Sequence, residues 1–361
     1  MPSFCRHGRL EANCPICSKA AAAKAPSRPA RRASRPAAPA ATPARRRTTR
    51  AAGDLRVRRV ARAADDGYEH DLVPGLRATA DAARLVHELA FSAARLEELS
   101  ASPPGLYVDV AGAAASGEVE EAAWLAFQIA YLSPLEGGDP WSPLASVRTS
   151  WASGDVPAAD TIALGPRTAH APGRGSRTFD AYRAWAARAG SQAAALTADA
   201  SWGPERRFER AFERLSLPGF GRAARYEFLV LLGYLGVADL RPTSLHLGDA
   251  GDETTLAAKR VFGIGDAMNL RRRAGELARG VGVHIESLDL ALVNFGRAED
   301  DRVTAGATAT TDPARADAIG ALLGVPRDAD PSSPDATSEV TSSDTERTPD
   351  AAAELTPDPA A

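Results

Sequence analysis

The chain has 361 residues and a formal net charge of -3, enough length for one large or two small domains. It contains no run of eighteen apolar residues, so no membrane span is expected. The polar, cysteine-bearing N-terminus lacks the apolar core of a secretory signal, and the expected compartment is the cytoplasm.

The modest net charge conceals an asymmetry. Residues 1–63 carry 16 Lys and Arg against 2 acidic residues, whereas the stretch from Asp328 onward carries 9 acidic residues against Arg347. A basic arm on a mildly acidic body suits non-specific attraction to DNA, and a solvated tail without a partner is the plain alternative.

Residues 1–18 hold all three cysteines of the chain, Cys5, Cys14 and Cys17, together with His7. Cys14-Pro15-Ile16-Cys17 has the spacing of a knuckle, and Cys5-Arg6-His7 supplies two more ligands. The pattern predicts a tetrahedral Cys3His structural zinc site. A redox Cys-x-x-Cys would need a βαβ context that the surrounding sequence lacks. Residues 19–63 are rich in Ala, Pro and Arg and cannot build a core, so they read as a disordered basic linker.

The body is expected over residues 64–300 and is expected to be all-α. Leu85, Leu89 and Leu96 mark a helix that ends near Ser102-Pro103-Pro104. Glu118 to Leu132 is a second helix, apolar almost all round and so expected at the centre; Ser133-Pro134 stops it. Residues 136–177 are rich in Gly, Pro and Ser, carry Trp141 and Trp151, and read as a long loop. Thr178 is expected to cap a helix with Phe179, Tyr182 and Trp185 on one face. Asp266 to Arg279 forms another helix, and Ser287 caps a last one that Gly296 ends. Residues 301–361 read as an acidic, mostly disordered tail with one short helix between Asp312 and Leu323.

The most informative stretch is Leu217-Pro218-Gly219-Phe220-Gly221. Phe208, Ala211, Phe212 and Leu215 repeat at helical spacing before it, and Ala224, Phe228, Leu231, Leu232 and Leu235 after it. Two helices joined by an L-P-G-x-G turn read as a helix-hairpin-helix. In that motif glycines open backbone angles closed to other residues, and the amides of the turn, with the N-terminus of the second helix, point at a DNA phosphate, which makes Leu217, Pro218, Gly219, Phe220 and Gly221 the DNA-binding candidates. Arg222 is expected to add a charge-assisted phosphate contact. An ordinary αα-hairpin with a glycine turn is the bland reading.

A helix-hairpin-helix in an all-α body of this size resembles the DNA glycosylase superfamily. The chain lacks that family's Val-Asp-Thr-His type signature, and Ala223 or Ala224 stands where some members carry a lysine. A narrower resemblance rests on Phe4-Cys5-Arg6-His7 with Cys14-Pro15-Ile16-Cys17, on Ala123-Trp124-Leu125-Ala126-Phe127, on Ala257 to Asp266 and on Leu288-Asp289-Leu290-Ala291-Leu292. Together these are similar to the α-glutamyl/putrescinyl-thymine pyrophosphorylase family, in its third, bacterial clade.

That resemblance implies hypermodification of DNA bases. Pyrophosphate on an activated 5-hydroxymethyl-pyrimidine would be replaced by an amine of the glutamate or putrescine kind. A flipped base would stack on Trp141, Trp151 or Tyr131. Lys259, Arg260 and Arg271 to Arg273 would face the leaving pyrophosphate. Asp252 or Asp249 would take the proton of the incoming amine, and the best candidates for catalysis are Asp252, Asp249 and Lys259. Two alternatives stay open. One is a base-excision glycosylase acting through Asp239 or Asp252. The other is a non-enzymatic DNA-binding protein. Turn formation explains Asp249 and Asp252 equally well, capping explains Asp266, and a solvated helix face explains the arginine run.

Purified protein is expected to contain one equivalent of zinc by metal analysis, lost in the Cys14→Ser, Cys17→Ser double variant. Less than half an equivalent in the unaltered protein rejects the zinc site.

Overall fold

The computed structural model describes residues 63–248 and 250–327. The zinc-ligand candidates Cys5, His7, Cys14 and Cys17, the basic linker, most of the acidic tail and Asp249 lie outside the described residues. Among the described residues the regular structure is helical, with no strand.

Two long helices organise the body. Helix α1, Thr79–Ala101, buries Leu85, Leu89, Leu96 and Leu99, the face that their spacing marks. Helix α2 follows at Leu106–Ala115. Helix α3, Val119–Leu132, is buried without interruption from Ala122 to Leu132, as an all-round apolar helix must be. Short helix α4, Ser142–Val147, interrupts the long loop. Helices α5, Arg177–Ala189, and α6, Gln192–Thr197, lead to the hairpin pair α7, Pro204–Arg214, and α8, Arg222–Tyr234. Helices α9, Glu253–Phe262, α10, Ala267–Gly280, and α11, Ser287–Phe295, follow, and α12, Pro313–Leu322, comes last. Helix α3 packs on α2, α6 and α8, while α1 packs on α8, α11 and α12.

The centre of the core is aromatic. Phe127 of α3 stacks on Tyr182 of α5 at 3.9 Å between ring centroids, with Phe220 of the hairpin turn at 5.0 Å and Phe228 of α8 at 5.8 Å. Such ring pairs add roughly 1 kcal/mol each beyond their burial.

The loop of residues 133–176 is pinned rather than loose. The Glu121 carboxylate accepts from Ser150 Oγ, Trp151 N and Ala152 N at 2.6–3.0 Å. Trp151 packs edge-on to Trp124 at 5.6 Å beneath the Arg183 guanidinium. Trp141 lies edge-on to Tyr107 at 4.8 Å, and a Cβ at Gly105 or Gly306 would strike its ring. Tyr131 is fully buried. The expectation that these three aromatics wait to stack on a flipped base is therefore corrected, because their faces are spent on the protein's own core.

The boundary at residue 300 is corrected as well. Val303 and Ala305 are buried, α12 packs on α1, and the Tyr68 hydroxyl donates to Leu323 O at 2.7 Å. The body runs on at least to Val325. Thr178 lies inside α5 instead of capping it.

Phe127→Ala is expected to destabilise the protein by about 3–5 kcal/mol in chemical denaturation, the range for large cavities in aromatic cores. A loss under about 1 kcal/mol would place the core elsewhere.

Candidate functional site: the hairpin and its buried ion chain

Helices α7 and α8 are joined by residues 215–221. Gly219 has φ +79°, a left-handed conformation that a side chain would strain, and the Phe220 amide closes the turn on Leu217 O at 3.1 Å. Phe220 then plugs into the aromatic core, 2% exposed. Gly221 is the N-cap of α8 and supplies no side-chain cap. The amides of the first helical turn have no intrahelical acceptor. Among the described residues, those of Gly219, Gly221, Ala223 and Ala224 have no other partner either. Pro218 and Gly221 are exposed. The turn thus offers backbone donors at the positive end of a helix dipole, a geometry that suits an anion.

Behind the turn runs a chain of buried charges. Arg222 is 5% exposed. Its guanidinium donates to Asp289 of α11, to Thr254 of α9 at 3.0 Å and to the carbonyl of Leu245. Arg167 bridges Asp289 at 2.6 Å and Glu227 of α8 at 3.3 Å. Arg95 of α1 pairs with the other oxygen of Glu227. Burial alone would raise the Asp289 carboxyl, but Arg222 and then Arg167 overcome it and hold the group down at about 2. Burial lifts the neighbouring Tyr107 phenol to about 12.

Two voids flank this chain. A cavity of about 10 Å³, room for a single water, is lined by Arg167, Glu227, Tyr107, Ser133, Ala223 and Ala224. Beyond it lies an open cleft of about 840 Å³ walled by Leu135, Glu136, Leu164, Pro166, Glu253 and residues 296–298 and 300–302. Ser133 between them is held at φ 63° and ψ 131°, a strained conformation for a non-glycine residue, at a cost of about 1–3 kcal/mol. Gly165 presses against it so closely that a Cβ would lie 1.8 Å from Pro134 O. In the cleft, Arg297 ties Glu253 at 2.7 Å to the Pro166 carbonyl at 3.3 Å.

The sequence-derived candidates separate on this frame. Leu217 is half-buried against the core, and Pro218, Gly219 and Gly221 present backbone. Phe220 and Arg222 were expected at the DNA but point inward, because the core and Asp289 take them. Asp252 is the N-cap of α9: Oδ2 accepts from Thr255 N at 2.9 Å, and Oδ1 faces Arg222 at 3.7 Å. Its side chain is 6% exposed, which corrects the expectation of a base open to a diffusing amine. Lys259 is half-buried in the last turn of α9, about 10 Å along the axis from Asp252, and neither lines the cleft. Arg260 is committed to Asp81 through two 2.7 Å bonds. Arg271 donates to Leu247 O, and Arg272 and Arg273 pair with Glu276, so the run is a helix face. Asp266 caps α10, and Asp239 is a surface partner of Arg207 at 3.3 Å.

Asp289, Glu227, Arg167 and Glu253 were not singled out as site residues by their sequence. One signal existed: Glu227 and Asp289 each interrupt an otherwise apolar helical run, and a charge there requires a buried partner.

Residues 168–298 match the model of one protein family, alpha-glutamyl/putrescinyl thymine pyrophosphorylase clade 3. The matched segment contains the hairpin, Asp252, Lys259 and Asp289. A comparison with curated proteins finds no match, and a comparison with solved structures finds none either.

A carboxyl held below its ordinary value stabilises the fold above that value and loses the contribution as pH falls through its folded value. For Asp289 the window runs from about 4 down to about 2 and is worth about 2 kcal/mol. Asp289→Asn is expected to cost about 3–5 kcal/mol at neutral pH, since it strands two buried arginines. It should also flatten the acid limb of the stability curve. An unchanged acid limb in urea melts would show that Asp289 is not the group being titrated.

Proposed function

We propose that this protein modifies thymine-type bases in DNA, seating the duplex on the hairpin and working on an extruded base in the cleft beside it. The family match over residues 168–298 carries this reading, since the family is named for a pyrophosphorylase acting on thymine. The uncapped amides of the hairpin support it, because they make sequence-independent phosphate contacts of the kind a base-flipping protein needs.

In the proposed reaction the base carries a pyrophosphorylated hydroxymethyl group. The lone pair of an amine, glutamate- or putrescine-like, forms a C–N bond at the exocyclic carbon. The C–O bond breaks, and pyrophosphate leaves with the electron pair. The ammonium so formed gives up a proton to a carboxylate. Glu253 suits that last role better than Asp252, because its side chain is 57% exposed and lines the cleft. Arg297 and Arg302 share the cleft and oppose the charge of the departing pyrophosphate. Asp249 is a secondary candidate for accepting the proton.

Pyrophosphate release from a duplex carrying the activated thymine, with candidate amines supplied, is the direct assay. Glu253→Gln is expected to lower turnover at least tenfold while DNA affinity holds. Gly221→Asp is expected to keep or raise stability, as a good N-cap, while weakening duplex binding at least tenfold by placing a carboxylate where the phosphate sits. Release of a free base instead of pyrophosphate would establish base excision. Wild-type duplex affinity in Gly221→Asp would remove the hairpin from the DNA interface.

A further inference from the structure

A chain of polar side chains reaches the hairpin turn from the loop behind it and takes no part in the chemistry proposed above. Asp160 Oδ1 lies 2.8 Å from His170 Nε2, and His170 Nδ1 lies 3.1 Å from the Tyr131 hydroxyl. The Tyr131 hydroxyl lies 3.1 Å from Thr178 Oγ1, and Thr178 donates to the carbonyl of Pro218 at 2.8 Å. The His170 side chain is 1% exposed, and Tyr131 and Thr178 are fully buried. Only Asp160 meets solvent to any extent.

Counting protons along the chain determines its direction. A carbonyl only accepts, so Thr178 must give its one hydroxyl proton to Pro218. The Thr178 oxygen then accepts from Tyr131, which uses the one proton of the phenol. The Tyr131 oxygen is left to accept from an N–H at His170 Nδ1. At the other end Asp160 is held below the ordinary carboxylate value, first by its hydrogen bond with His170 and then by the Gly173 amide. It is an acceptor too, and requires an N–H at Nε2. Every bond is satisfied at once only when both ring nitrogens carry a proton.

We propose that His170, as an imidazolium, is a positioning residue that sets the hairpin turn for a DNA phosphate through Tyr131 and Thr178. The proposal rests on the reading of the hairpin as the DNA seat. Loss of one ring proton leaves Nε2–H on Asp160 and a bare Nδ1. Tyr131 then turns its proton to Nδ1, Thr178 turns its own to Tyr131, and the Pro218 carbonyl loses its donor. Pro218 precedes Gly219, the left-handed residue of the turn, so the amides beyond it are coupled to the charge of the ring. The groups that face this chain are Asp160 from the 159–161 turn and Tyr131 from α3. Arg174 packs on Gly219 next to Thr178, where a glycine Cβ would lie 1.4 Å from its Nη1 and 2.8 Å from Thr178 Oγ1.

The test uses the full-length protein with ¹⁵N-labelled histidine and glycine, titrated from pH 5 to 8.5 at constant ionic strength. Duplex affinity is followed in parallel by fluorescence anisotropy. In the wild type, His170 should show two protonated nitrogens at the acid end. The Gly219 amide resonance should move in step with its deprotonation. Duplex affinity should fall about fivefold over the same interval, the worth of one neutral hydrogen bond. In Thr178→Val, nearly isosteric, the Gly219 resonance and the affinity should stop following His170. Tyr131→Phe serves the same purpose should the valine variant fail to fold. Asp160→Asn, an accessible site, removes the carboxylate acceptor of the Nε2 proton and should alter the Gly219 resonance and the duplex affinity together. A Gly219 resonance indifferent to His170, or one that still follows it in Thr178→Val, overturns the relay. If Gly219 follows His170 while the duplex fails to bind at any pH, the relay stands as a conformational coupling, but its role in seating DNA is overturned together with the reading of the hairpin.

Discussion

The buried pair of Arg222 and Asp289 is the constraint on which the rest of the site depends. It joins the first residue of α8 to the first turn of α11, with Thr254 from the first turn of α9 against the same atoms. Three helix N-termini therefore meet at one point. Their partial positive charges and the guanidinium would repel one another without an anion between them. Asp289 supplies that anion, and Asp252 at 3.7 Å from Arg222 adds a second. Along the chain from Arg95 through Glu227, Arg167, Asp289 and Arg222 to Asp252, the charges alternate in sign. Each ion offsets its neighbours' loss of hydration. Removing one strands another in a low-dielectric interior, which is why such networks tolerate truncation poorly although they add little net stability over an apolar replacement.

The inward turn of Arg222 also shapes the outer surface of the hairpin. With Phe220 in the aromatic core and Arg222 on Asp289, the turn shows the outside little but backbone and the exposed Pro218. A surface of amide donors suits a phosphate whatever the neighbouring base, so any choice of base has to be made elsewhere. The cleft walled by Leu135, Glu136, Leu164, Pro166, Glu253 and Arg297 has room for it. The strained Ser133 and the tight approach of Gly165 hold the strap between cavity and cleft in place. Strain of that kind persists only where the surroundings over-determine a conformation.

The long helices were legible because their sequences carry strong periodic signals. The apolar spacing of α1, the all-round apolar α3 and the matched faces of α7 and α8 need no tertiary information to be recognised. Helices α2, α4 and α6 were not legible. They are 10, 6 and 6 residues long, and helices so short owe their stability to packing rather than to propensity. The body's extension past residue 300 was missed for a related reason: Val303 and Ala305 are single apolar residues in a polar stretch, buried by partners far away in the sequence. At the site, the glycine turn was readable as a local conformational need. The destination of each neighbouring side chain was not.

The sequence by itself determined an all-helical body, a glycine hairpin between two amphipathic helices and a resemblance that the family match over residues 168–298 repeats. These follow from local rules: period, turn chemistry and motif. Only the tertiary structure decided that Arg222 turns inward, that Arg260 belongs to Asp81, and that Glu253 and Arg297 border the cleft. The physical reason is that a charged side chain goes where its ion of opposite sign is buried. In this protein those partners lie tens to nearly two hundred residues away, beyond the reach of any local pattern.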